Sequence, residues 1–319
     1  MKIAALPGLL ILLCSAAFAQ TVPVTGTVTD LKGNPVPYAF ISDAQLPIAT
    51  FSDANGAFSI KVKPDSRLIA SASFHKKTRL QLDKTTDVKI VMPVDSTNNV
   101  PVIDPKARNI FVQDETLRNI FEGDVTMHGS GEENLHGSRF LFADWVHGFA
   151  ISPDDSIKQN DLYLFNYDKI GGDLIFTRNK ATVFTVVKSE IKSFTLFDND
   201  GHTYVFEDIP AIDKKHYAEL VAADKKYKIY KNLGTKFIKN NFVTNGITSS
   251  GNNYDEYKDE SEYYAVKLPD GLPIKFTFRK KAIKLAFAAD VDKVTKYLAD
   301  NDKEIDEDYL KGLLEYLDQ

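Results

Sequence analysis

Alternating apolar and polar positions in short runs dominate the chain from residue 22 to residue 92. Val24, Gly26 and Val28 alternate with threonines, and Phe58, Ile60 and Val62 alternate with Ser59 and Lys61. A period of two places one set of side chains on a buried face, so these runs predict strands. Strong turn signals separate them. Lys32-Gly33-Asn34-Pro35 closes one, and Asp53-Ala54-Asn55-Gly56 closes another, its Asn-Gly pair suited to positive φ. Seven short strands with no helical period argue a small β-sandwich.

Residues 93–108 hold three prolines among polar residues and show no periodicity, which predicts a linker over 94–108. Residues 109–135 fit either strand or helix. From Gly137 to Arg279 the alternation returns. Strands are expected over Asp161–Tyr167, Leu174–Thr177, Ala181–Val187 and Ile191–Phe197, the last turning through Asp198-Asn199-Asp200-Gly201 into His202–Phe206. Lys226–Tyr230 and Thr235–Ile238 alternate less clearly. Tyr264, Val266 and Leu268 share a face, Asp270-Gly271 turns, and Ile274, Phe276 and Phe278 share a face of the returning strand.

After Arg279 the period becomes helical. Val291, Val294, Tyr297 and Leu298 form one stripe, and Leu310, Leu313, Leu314 and Leu317 another. Asp306 is placed as an N-cap, with Ile305 and Leu310 spaced as a hydrophobic staple. The second stripe is expected to be buried against the hairpin that carries Ile274, Phe276 and Phe278. The fold class is therefore mainly β: an N-terminal sandwich over 20–93, the linker over 94–108, and a larger β-rich unit over 109–319. That unit is an antiparallel sheet, curled or barrel-like, with two or three C-terminal helices.

Composition changes this picture little. Hydrophobic residues make up 43% of the 319 and charged residues 26%, so a globular chain is expected, and a net charge of −5 points away from nucleic acid. The start of the chain says more. Lys2, the apolar run Leu9–Leu13 and Ala17-Phe18-Ala19 have the layout of a secretory leader, cut after Ala19. Cys14, the single cysteine, falls inside that leader, and Leu13 before it is not the small residue of a lipoprotein signal. Removal of residues 1–19 leaves no thiol for a disulfide or for catalysis. No later apolar run is long enough for a membrane helix.

Two resemblances follow from these motifs. Gly26-x-Val28-x-Asp30 with Gly33-x-Pro35-Val36-Pro37-x-Ala39, and then Ser52-Asp53-Ala54-Asn55-Gly56-Ala57-Phe58-Ser59-Ile60, resemble carboxypeptidase regulatory-like domains. That resemblance implies a sandwich and no particular activity, because such modules are appended to many unrelated proteins. Gly137-Ser138-Arg139-Phe140-Leu141-Phe142-x-Asp144-Trp145-Val146-x-Gly148, with Leu162-x-Leu164-x-Asn166-Tyr167-Asp168, resembles uncharacterised exported proteins of Bacteroidetes-type bacteria. It implies an envelope location, periplasmic or at the outer membrane or secreted, and no catalytic residue.

Candidate chemistry is sparse. His128, His136 and His147 with Glu132 and Glu133 could offer metal ligands, but their spacing matches no metal motif and solvated loop histidines explain them better. His216-Lys-Tyr-Glu219 is the one histidine with glutamate at the spacing of a zinc carboxypeptidase, and no later histidine completes it. Asp198-x-Asp200-Gly201 is a fragment of a calcium loop that a hairpin turn also explains. Neither a nucleophile elbow nor a phosphate loop occurs. No catalytic residue, metal or cofactor is therefore assigned.

The leading expectation is a non-catalytic envelope protein that binds a protein or a surface component. Trp145, Tyr254, Tyr257 and Tyr263 are the candidate contacts, the tyrosines from a run (residues 254–264) read as a solvated loop leading into an edge strand. The alternative is a carrier with an apolar ligand enclosed among Phe184, Tyr204 and Phe276. A hydrolase built from dispersed residues is the third reading. A TonB-dependent transporter is excluded, because a 22-stranded barrel needs more chain than follows the sandwich.

Overall fold

The structure is a computed structural model. It describes residues 21–95, 111–113 and 135–319 apart from Ala181, Asn199 and Asn245. The leader, most of the linker, and His128 with Glu132 and Glu133 lie outside the described residues.

Seven strands make up the first unit: β1 (Val22–Thr29), β2 (Phe40–Asp43), β3 (Ala49–Phe51), β4 (Ala57–Val62), β5 (Arg67–Ser71), β6 (Thr78–Gln81) and β7 (Asp87–Val91). They form two sheets, ordered β4-β1-β7 and β3-β2-β5-β6. Period-two burial puts Val24, Val28, Ile41, Ile60 and Leu68 into one core between the sheets. Gly56 adopts φ +76°, as the Asn-Gly turn demands, and a Cβ there would lie 2.4 Å from the Val28 carbonyl oxygen.

The second unit contains β8 (Phe111–Gln113), β9 (Leu135–His136), β10 (His147–Ile151), β11 (Ile157–Lys158), β12 (Leu164–Asp168), β13 (Asp173–Thr177) and β14 (Val183–Val186). It continues with β15 (Ser193–Phe197), β16 (Thr203–Glu207), β17 (Ala218–Ala223), β18 (Tyr227–Ile238), β19 (Val243–Thr244), β20 (Ser249–Ser250), β21 (Asp255–Lys267) and β22 (Ile274–Phe276). The main sheet runs β11-β10-β15-β16-β17-β18-β21-β22, with β9 alongside β21, and it stays open rather than closing into a barrel. A smaller sheet, β12-β13-β14-β8, packs over it through Phe165, Tyr167, Phe176, Phe194, Phe206 and Tyr217.

Two expectations change. The weakly patterned stretch after Lys226 is a single 12-residue strand, paired residue for residue with β21 from Tyr227↔Lys267 to Ile238↔Glu256. The tyrosine-rich run is accordingly β21 itself, between β18 and β22, not a loop before an edge strand. Cross-strand partners supplied the order that local alternation lacked.

Three helices, α1 (Lys280–Ala286), α2 (Val291–Asp300) and α3 (Glu307–Asp318), close the far end of the main sheet. Asp306 caps α3 by accepting a hydrogen bond from the Tyr309 backbone N–H at 2.7 Å. Leu310, Leu313, Leu314 and Leu317 are all buried, in a cluster with Tyr227, Ile229, Ala265, Phe276 and Phe287. Their platform is thus β17, β18 and β21 with the neighbouring helices, wider than the β22 hairpin alone. Ile274, expected on it, is 46% exposed.

Candidate functional site

The sandwich meets the second unit through aromatic side chains. In β2, Ile41 faces the sandwich core while Phe40 faces outward, onto Phe51 of β3 and Phe149 of β10. Phe51 stands edge-on to Phe197 with ring centroids 5.1 Å apart. Tyr38 stacks on His147 at 4.6 Å. Tyr38 holds φ +54°, an uncommon conformation for a bulky residue, and the residue stays 36% exposed.

Beside this contact lies a groove of about 580 Å³. One wall is β3 and the start of β4, with the turn carrying Asp53 and Asn55 between them. The other is the end of the β15–β16 hairpin, with Phe197, Asp198 and Asp200. Tyr38 and Phe51 also border a smaller cavity of about 280 Å³ that His75, His147 and Asp161 line. Burial holds the His147 imidazole below its usual pKa, against a smaller opposing pull from Asp161.

The chemistry of the groove is acidic. Its lining includes three aspartates and no lysine or arginine. Asp53 Oδ1 accepts the backbone N–H groups of Asn55 and Ala57, each at 2.8 Å. Asp198 is similarly occupied: Oδ1 takes the N–H groups of Asp200 and His202, and Oδ2 faces the His202 ring and the Tyr204 hydroxyl. Partial burial raises the Asp198 pKa, but these hydrogen bonds outweigh it and the carboxylate titrates below the ordinary value. Asp198, Asp200 and His202 bring ligand atoms within 4.8 Å of one another, yet both Asp198 oxygens already serve the turn, which is the hairpin explanation of the calcium-like fragment.

The residues marked in the sequence are spread out. Trp145 is buried with Ile175 and Val183. Tyr254 stacks on His136 at 4.0 Å, and Tyr257 lies against Phe237 at 4.9 Å on the β18–β21 ribbon. Tyr263, about 20 Å further along the strand at roughly 3.3 Å per residue, donates its hydroxyl to Glu307 at 2.7 Å beneath the helices. Phe184 and Tyr204 pack on one core and Phe276 sits in another, so the three do not line a shared cavity. His216 pairs with Asp213 at 3.0 Å, whereas Glu219 lies toward Lys231 and Glu307, so the formal zinc pair is not assembled.

Two ion pairs, each with one buried partner, stand elsewhere. Asp168 receives Nε and Nη2 of Arg139 together with the N–H groups of Ile170 and Gly171, and Lys169 reaches Asp259. Asp173 beside Asp168 has a raised pKa, from burial first and the neighbouring carboxylate second. Neither Asp168 nor Asp173 lines the groove. Asp168 and Asp173 face each other across β12 and β13, and the Lys169–Asp259 pair ties that hairpin to β21.

Sequence reasoning passed over Tyr38, Phe51 and Phe197 as groove residues, and it read Asp200 only as part of its turn. Asp53 and Asp198 were each explained by their own turns, and nothing local says that the two turns meet across a groove.

No family model matches the chain, and a search of the curated proteins finds no match either. Among solved structures the chain is similar to a "putative membrane-associated protein of unknown function" from Bacteroides fragilis NCTC 9343. Identity is 10%, the match covers 77% of this chain and 87% of that one, and the TM-score is 0.19. The functional reading therefore rests on this chain's own residues.

Proposed function

We propose that the protein is a non-catalytic, exported cell-envelope module that binds a protein or surface component in the groove between the sandwich and the main sheet. The supporting observation is the groove itself, which has an aromatic floor of Phe51 and Phe197, an exposed Tyr38 and an acidic rim. Its volume falls within the usual range for binding sites, and its wall joins two units, a common place for recognition. The leader-like residues 1–19 support export. The carboxylates Asp53 and Asp198 are engaged in turns, which favours binding over acid–base chemistry.

Site-specific photo-crosslinking in cells tests this reading. A photoreactive residue at Asn55, exposed on the rim, is expected to give a discrete adduct with an envelope component. The same residue at Leu285, 64% exposed on α1, is expected to give none. Adducts from Leu285 alone, or from neither position, overturn the assignment of the groove.

A further inference from the structure

Resting on that reading, we infer that the occupant is an extended, basic polypeptide segment that adds as a strand to the outer edge of β4. The register of β1 and β4 decides which backbone groups face the groove. Thr27 pairs with Ala57, and the Val28 N–H bonds the Gly56 carbonyl at 2.7 Å. Antiparallel pairs alternate between bonded and non-bonded. Val28–Gly56, Gly26–Phe58 and Val24–Ile60 are therefore the bonded pairs, and Ala57, Ser59 and Lys61 turn their N–H and C=O groups away from β1. The Asp53 N–H bonds the Ala57 carbonyl at 2.8 Å from that outer side, as this phase requires. Among the described residues no strand pairs with the Ser59–Lys61 edge, since β4 ends its sheet.

β3 repeats the pattern. The Asp43 N–H bonds the Ile48 carbonyl, and the Ser52 N–H bonds the Ala39 carbonyl, so Ala49 and Phe51 direct their backbone groups outward. β3 also ends its sheet, and both edges border the groove. An exposed edge is a template for another strand, and strand addition uses such backbone groups for affinity while alternate side chains set specificity. β4 is the better template because it has six residues against three.

Charge selects the occupant. With Asp53, Asp198 and Asp200 in the lining, and Lys61 on the same edge but outside it, a segment whose lysine or arginine side chains lie over the groove is complementary there and an acidic one is repelled. Its apolar positions would meet the aromatic floor at Phe51 and Phe197.

The probe is a capped alternating Lys–Val heptapeptide, read by amide hydrogen exchange and NMR shifts on the whole protein. Saturable protection of the Ser59 and Lys61 amides is expected, weakening with salt. The corresponding Glu–Val peptide should bind about tenfold more weakly or worse, a difference of about 1.4 kcal/mol. Ser59→Pro removes an outward donor while sparing the β1 ladder, and should abolish the protection. Where that variant fails to fold, a Lys–Val peptide N-methylated at alternate residues, unable to complete the ladder, makes the same test on the unaltered protein and should not bind.

Equal binding of the Lys and Glu peptides overturns the charge assignment. No protection at Ser59 and Lys61 by millimolar Lys–Val peptide overturns strand addition, as does chitohexaose shifting the Tyr38 resonances in its place. Crosslinks from Asn55 that persist in either case leave the partner-binding reading standing. Their absence fells that reading separately.

Discussion

The two ends of the molecule treat their exposed sheet surfaces in opposite ways. At the C-terminal end α1, α2 and α3 cover the main sheet, and Leu310, Leu313 and Phe287 become fully buried. At the sandwich one side is laced shut: the Lys76 N–H bonds the Pro93 carbonyl and the Asp95 N–H bonds the Phe74 carbonyl, tying the segment before β6 to the end of β7. The opposite side, with β3 and β4, faces the groove. Among the described residues, such lacing is present on the β6–β7 side and not along β3 and β4. Apolar burial marks the scaffold, and the uncovered edge marks the surface proposed for binding.

The largest expected effect tests the scaffold end. Leu313→Ala should cost about 2–5 kcal/mol, because a fully buried leucine leaves both lost transfer energy and a cavity. Thermal unfolding should show it, with the sedimentation profile unchanged. An unaltered melting temperature with lost self-association would turn the helical end into an interface and erase the contrast.

Phe51→Ala comes next, at about 3 kcal/mol by urea denaturation, since its ring anchors the sandwich against Phe149 and Phe197. A change below about 0.5 kcal/mol, the usual scatter of surface substitutions, would mean the two units do not stabilise each other. Asp306→Ala should cost about 1 kcal/mol through loss of the α3 cap, and Asp306→Asn should recover most of it.

The smallest effect concerns pH at the groove end. His147 is held below its usual pKa of 6.5 by burial against Tyr38 and Phe51. As pH falls through 6.5, the unfolded chain binds a proton that the folded protein accepts only at lower pH. Stability is therefore complete above 6.5, declines below it, and levels off once the folded imidazole is also charged. Asp161 opposes the shift, and His75 lines the same cavity, so the slope should be shallow. Denaturation midpoints between pH 7.5 and 5 should show a dependence that His147→Gln reduces. An equal slope in that variant would remove His147 from the account.

Much of the architecture was legible because it is local. The turns at Lys32–Pro35 and Asp53–Gly56 punctuate the sandwich, and the Asp198–Gly201 turn joins β15 to β16 with Phe197 opposite Thr203. The α3 cap and leucine stripe are likewise encoded within a dozen residues. The long β18–β21 ribbon was missed for the converse reason. Asn232, Gly234 and Thr235 interrupt its alternation, and only the partner residues Glu262, Glu260 and Asp259 hold them in a strand.

The site was legible only in fragments. Trp145 and Tyr263 attracted notice by residue type, while burial beside Ile175 and beneath Glu307 gives them packing roles. What the sequence by itself determined is the sandwich, the β-rich continuation and the helical close, because period, turn chemistry and capping act between near neighbours. What only the tertiary structure decided is the groove. Whether Asp53 faces Asp198, or the edge of β4 stays uncovered, depends on how Phe40 and Phe51 seat against Phe149 and Phe197. That packing joins residues about 100 to 150 positions apart, and no local periodicity encodes it.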